Sequence, residues 1–95
     1  MKILVTGCAG FIGFHLSKYL LKKNYSVYGV DSLNDYYSVE YKRKRLKILK
    51  GFKEFQFDNS DISDFKKTKK IFNKNKFKLV INFAAQAGVR YSISN

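Results

Sequence analysis

Two patterns of apolar and polar positions alternate along the chain. Residues 2–6, KILVT, are a short β-branched apolar run that stops at Gly7, as a buried strand does. Residues 11–24, FIGFHLSKYLLKKN, repeat apolar side chains at 12, 16 and 20 and finish on lysines. This predicts a helix over 11–23 with a basic C-terminal end. YSVYGVD (25–31) reads as a second strand closed by Asp31, and residues 32–38 as a polar, aromatic loop. Residues 39–50 return to helical spacing and stop at Gly51. KEFQFD (53–58) alternates like a third strand, and the turn NSDIS offers Ser63 as N-cap of a helix over 64–74. KLVINFA (78–84) is a fourth apolar run, followed by a small-residue loop. Tyr91 and Ser92 then read as the opening of a further helix, with Ser92 near its cap.

Strands alternating with helices imply right-handed crossovers and a parallel sheet. The predicted fold class is α/β: a doubly wound parallel sheet with strand order 3-2-1-4, cut after the fourth strand. Residues 1–95 contain no proline, repeat or low-complexity linker, so they read as part of one domain.

Composition narrows the options. With 45% hydrophobic and 17% aromatic residues the chain can build a core. No run approaches the roughly 20 apolar residues that span a bilayer, and Ile3–Val5 is too short for a signal-peptide core. The single cysteine, Cys8, excludes an internal disulfide. A cytoplasmic protein with no membrane partner is expected. The net charge of +12 sits in two blocks, 41–50 and 66–78. Each has an apolar stripe: Val39, Leu46 and Leu49 in the first, Phe65, Ile71 and Phe72 in the second. The lysines take the other faces, so the charge reads as solvated helix surface and no nucleic-acid partner is expected. A phosphate-neutralising patch is the competing reading.

The chemistry concentrates in VTGCAGFIG (5–13), where glycines fall at 7, 10 and 13. After a strand and before a helix, Gly7 would let the chain turn sharply, Gly10 would let a pyrophosphate approach the backbone, and Gly13 would let helix and strand pack closely. Free amides at the helix start would face the phosphates. Asp31, closing the second strand, is placed to accept from adenosine ribose hydroxyls and to repel a 2′-phosphate, which favours NAD over NADP. Lys42 and Arg43 nearby leave room for NADP. The only histidine, His15, reads as a packed or surface residue of the first helix.

TGCAGFIG (6–13), DSLNDYY (31–37) and NFAAQAGVRYS (82–92) together resemble the N-terminal part of an extended short-chain dehydrogenase/reductase of the NAD-dependent epimerase/dehydratase family. Within it the chain is most similar to the bacterial UDP-glucuronate 4-epimerases of capsule and cell-surface polysaccharide synthesis. The glycine motif carries the superfamily; DSLNDYY and AAQAGVRYS carry the narrower likeness. The resemblance implies a Rossmann fold whose Gly7, Gly10, Phe11, Ile12 and Gly13 hold the pyrophosphate of NAD. It implies Asp31 and Asn34 at the adenosine ribose, Asp61 and Ile62 at the adenine, and Ala84, Ala85 and Gln86 along the nicotinamide half of the cleft. Arg90 would meet an anionic, UDP-glucuronate-like nucleotide-sugar; fixing its own loop is the other reading. Asp61 and Ile62 also read as a simple helix-entry turn. The family often carries Asn at Ser32 and His at Asn82. Asn82 lies inside a strand and reads as structural.

The superfamily's chemistry uses a Ser or Thr with a Tyr-x-x-x-Lys pair, in which the tyrosine takes a proton while hydride leaves for NAD. Tyr19 and Lys23 fit that spacing, but they lie in the first helix, far ahead of the family's pair. No catalytic residue is therefore assigned, and the chain is expected to be inactive alone. The whole enzyme is expected to be a cytoplasmic homodimer. A nucleotide-sugar 4,6-dehydratase, another sugar 4-epimerase, and a non-catalytic NAD(P)-binding module are the alternatives.

Overall fold

The computed structural model describes residues 1–33, 39–61 and 63–83, together with the backbone of 93–94. Elements follow the predicted order. They are β1 (Lys2–Thr6), α1 (Phe11–Lys22), β2 (Ser26–Asp31), α2 (Val39–Leu49), β3 (Phe55–Asn59), α3 (Phe65–Lys74), β4 (Leu79–Asn82) and β5 (Ile93–Ser94). The sheet order is β3-β2-β1-β4-β5. The first four strands are parallel in the order 3-2-1-4, with Thr6 opposite both Val30 and Asn82, and Asp31 opposite Asn59. All four therefore end on one edge.

The alternation within β1 divides the core. Ile3 and Val5 face a cluster with Val27, Phe55, Phe14 and Leu20 from α1, and Leu46 and Leu49 from α2. Leu4 faces the other side with Val30 and Ile71 of α3. Helices thus cover both faces, which is why β1 carries apolar side chains on successive positions rather than on alternate ones. Each fully buried aliphatic side chain contributes about 1.5–3 kcal/mol.

α1 ends where Lys22 and Lys23 give way to Asn24, whose φ of +70° is the left-handed turn that asparagine tolerates. The turn is closed by the Tyr25 amide donating to Leu20 at 3.1 Å. Among the described residues, no helix is long and apolar enough to cross a membrane.

Three expectations change. The N-cap of α3 is Asp64, not Ser63: its carboxylate accepts from the Lys67 amide at 3.2 Å, while Ser63 turns back to Asp61. The stripe of α3 is also narrower than predicted. Ile71 is buried, but Phe65 is 75% exposed and Phe72 43%. Phe65 and Phe72 lie seven residues apart on one face, rotated by about 100° from Ile71, and only the Ile71 face meets the sheet. Finally, the segment expected to open a helix after Ser92 supplies β5, antiparallel to β4 with Ile81 opposite Ile93. β4 has β1 on one side only, so its outer backbone groups find partners in this short ladder.

Candidate functional site

The common edge of the strands gathers the glycine loop after β1, Asp31 at the end of β2, and Asp61 just beyond β3. Open α/β sheets bind ligands at such an edge. Gly7 has φ +73°, and its amide donates to the Val30 carbonyl at 2.7 Å, swinging the chain towards β2. A Cβ here would stand 2.8 Å from the Phe83 carbonyl carbon. A Cβ on Gly13 would stand 2.9 Å from the Gly7 carbonyl carbon and 3.1 Å from Cys8 Cα, so this glycine lets α1 pack onto the loop.

Gly10 differs. Its φ of −72° suits any residue, and among the described residues an added Cβ would meet the Gly7 carbonyl oxygen alone, at an ordinary 3.4 Å. The packing of the described residues does not require glycine here. Gly10 is also the N-cap of α1 with no side-chain cap, and the first turn carries no acidic residue. The first amides of a helix have no intrahelical partner. Here these are the amides of Phe11, Ile12 and Gly13, at the positive end of the helix dipole.

Asp31 is 5% exposed and already well bonded. Oδ2 accepts from the Ala9 amide at 3.0 Å; Oδ1 accepts from the Leu33 amide at 2.9 Å and from Lys42 Nζ at 3.0 Å. A carboxylate has about four acceptor sites, of which the described residues fill three on Asp31. Lys42 is itself only 4% exposed. It is not part of a solvated face, and it is committed to Asp31 rather than free for a 2′-phosphate. Arg45 Nη1 donates to the Ala9 carbonyl at 3.1 Å, and its guanidinium lies 5.9 Å from the Phe11 ring centroid. Sequence reasoning named Lys42 only as leaving room for NADP, and missed Arg45. The signal was present for Lys42, which shares the spacing 42, 46, 49 with buried Leu46 and Leu49.

Cys8 lies beneath the loop, fully buried. Burial, reinforced by the negative charge of Asp31, pushes its thiol well above the usual range, so it is no nucleophile. Asp61 is exposed; the amide and hydroxyl of Ser63 donate to its Oδ1 at 2.9 and 2.8 Å and hold its carboxyl below the usual range. Thr6 donates its hydroxyl to Asn82 Oδ1, an inter-strand bond that gives Asn82 a structural role. His15 is exposed and sits edge-on to Phe11 and Phe14. Lys23 Nζ lies 5.6 Å from the Tyr19 ring centroid, at the end of α1 away from the glycine loop. Asn34, Ile62, Ala84, Ala85, Gln86 and Arg90 lie outside the described residues, as do Tyr91 and Ser92. Among the described residues, no group of three His, Cys, Asp or Glu could hold a metal.

A doubly wound sheet with a glycine turn feeding an uncapped helix defines the dinucleotide-binding class of α/β protein. Residues 4–95 match the family model described as GDP-mannose 4,6 dehydratase, and the chain belongs to that family. It is 52% identical over 95 residues to Protein CapI of Staphylococcus aureus, and 48% identical over 92 residues to the UDP-glucuronate 4-epimerase of Thermodesulfobacterium geofontis. These alignments take in 100% and 97% of the chain but 28% of each relative, so the chain spans little over a quarter of their length. Among solved structures it is similar to UDP-glucuronic acid 4-epimerase from Bacillus cereus in complex with UDP-glucuronic acid and NAD. The TM-score is 0.78 at 38% identity, over 95% of this chain and 28% of that one. It is also similar to dTDP-glucose 4,6-dehydratase from Bacillus anthracis in complex with NAD. There the TM-score is 0.78 at 26% identity, over 92% of this chain and 27% of that one.

Proposed function

We propose that this chain is the NAD-binding part of a nucleotide-sugar 4-epimerase acting on a UDP-glucuronate-like substrate. Gly10 is the observation that carries the reading: a glycine that the packing of the described residues does not require, at the N-cap of a helix with no side-chain cap, fits a pyrophosphate that must approach the backbone. Gly7, Gly13 and the amides of Phe11 and Ile12 would cradle the phosphates. Asp31 would take one ribose hydroxyl at its remaining acceptor site, with Asn34 beside it, and its charge disfavours a 2′-phosphate. Asp61 and Ile62 would flank the adenine, Ala84, Ala85 and Gln86 the nicotinamide, and Arg90 the anionic sugar nucleotide.

Bound NAD supplies a hydride acceptor and donor at C4 of the sugar. The chain's own residues bind and orient; none within 1–95 is assigned to move the substrate proton. The chain alone is proposed to be inactive, and the enzyme containing it to be a cytoplasmic homodimer. A single buried free cysteine accords with a reducing compartment. Calorimetry with NAD tests the cofactor: a folded chain that gives no heat at millimolar NAD sinks the reading. The family model's description favours one second reading, a 4,6-dehydratase. Product analysis with an enzyme carrying this segment decides: an epimer at C4 supports the proposal, and a 4-keto-6-deoxy sugar supports the dehydratase.

A further inference from the structure

The peptide of Ala9 is gripped at both ends. Its amide donates to Asp31 Oδ2 at 3.0 Å, and its carbonyl accepts from Arg45 Nη1 at 3.1 Å. Lys42 holds the same carboxylate through Oδ1 at 3.0 Å. Lys42 and Arg45 are three residues apart and leave α2 on one side. The partners are far apart in the chain, 22 residues from Ala9 to Asp31 and 36 to Arg45, so local geometry does not impose these bonds.

Packing does not account for them either. A cation and a carboxylate are costly to bury, and an apolar pair of similar size often serves a core as well or better. Position 42 shares its stripe with Leu46 and Leu49, which pack as ordinary aliphatic residues. A methionine there would fill the space without the desolvation cost. The charge instead orients Asp31, and Asp31 orients the loop residue immediately before Gly10. Arg45 adds a second hold and lies over the ring of Phe11, the first residue of α1.

We propose that Lys42 and Arg45 are positioning residues, a two-point clamp from α2 that fixes the Ala9 peptide and with it the Gly10 turn and the first amides of α1 for an anion. The clamp itself stands on these contacts; its bearing on a dinucleotide rests on the function proposed above. It also gives part of the basic block 41–50 a role other than solvation.

Amide hydrogen exchange on the isotope-labelled chain, followed by NMR, tests the clamp without any ligand. In Lys42→Met and Arg45→Gln, exchange at Ala9 should rise about tenfold relative to the sheet amides of Val5 and Val27. Arg45→Lys should restore most of the protection, since it returns a cationic donor. NAD affinity, measured by calorimetry, should fall about tenfold in the two clamp variants, the weight of one charge-assisted bond. If Lys42→Met fails to fold, Arg45→Gln decides, because Arg45 is only half-buried and its loss opens no core cavity. Ala9 exchange that keeps its ratio to Val5 and Val27 overturns the clamp. So does an unchanged NAD affinity in a variant whose Ala9 amide has been freed. A parent chain that takes up no NAD, while its variants free the Ala9 amide, leaves the clamp standing and removes the dinucleotide reading.

Discussion

Gly7 and Gly10 stand three residues apart in one loop and answer to different demands. Gly7 needs its positive φ and has the Phe83 backbone against it, whereas at Gly10 a Cβ would make only ordinary contact among the described residues. Gly7→Ala is expected to cost about 1–3 kcal/mol in stability, the usual cost of forcing a side chain into strained backbone. Gly10→Ala should stay within about 1 kcal/mol of the parent yet lose NAD binding. Thermal melts and calorimetry on the same two samples separate the effects. Cys8 gives a second test. Its folded thiol is raised by burial, and Tyr28 is raised by burial and then by its bond to Asp58. Both contribute stability that is complete below their unfolded values and is lost as pH climbs past them, beginning near the ordinary thiol value of about 8.5. The melting temperature should therefore fall between neutral pH and pH ~10, less so in Cys8→Ala, and a thiol reagent should label Cys8 only on unfolding. At this scale the glycine spacing and Asp31 were legible because their types are chemically restrictive. Lys42 was not, because a lysine among lysines looks solvated until its place on the apolar stripe is weighed.

At the scale of elements, α3 is held by one cap and one buried side chain. Asp64→Ala should cost about 1 kcal/mol through the lost N-cap. Ile71→Ala should cost about 2–5 kcal/mol. Phe65→Ser should cost next to nothing, because Phe65 is exposed; denaturant titrations of the three variants rank them. Asp61 adds a pH dependence of the opposite sign to Cys8. Its lowered carboxyl supports the turn before α3 above the ordinary carboxylate range, and that support fades as pH falls through the folded value. Ser63→Ala should weaken it without abolishing it, because the hydroxyl bond goes and the larger backbone-amide bond stays, read as a partial rise in the Asp61 titration midpoint by NMR. The periodicity located seven of the eight elements. It misread the α3 cap because Ser63 and Asp64 are both good cap residues, and only the closed turn to Asp61 decides between them. It missed β5 because two residues carry no period; the open edge of β4 recruits them.

For the molecule as a whole, the order 3-2-1-4 followed from run lengths and crossover handedness, and the depth of Asp31 within the edge did not. Two conditions should move stability as a unit. NAD at about 100 times its dissociation constant should add about 2.7 kcal/mol, which for a chain this size is a rise of about 10–20 °C in melting temperature. The +12 net charge opposes compaction through self-repulsion. Raising salt from about 0.01 M to 0.15 M shrinks the screening length from about 30 to 8 Å, and the melting temperature should rise with it.

The register of β1 has a consequence during synthesis. Ile3 pairs with Val27 on one side and with Leu79 on the other. Among the four parallel strands, the one made first is therefore filled on both sides only when the one made last arrives. At about 5–20 residues per second, β1 waits roughly 4–15 s for β4. Through that interval the nascent chain presents Ile3, Leu4 and Val5 along an unfilled strand edge, a ready handle for a chaperone.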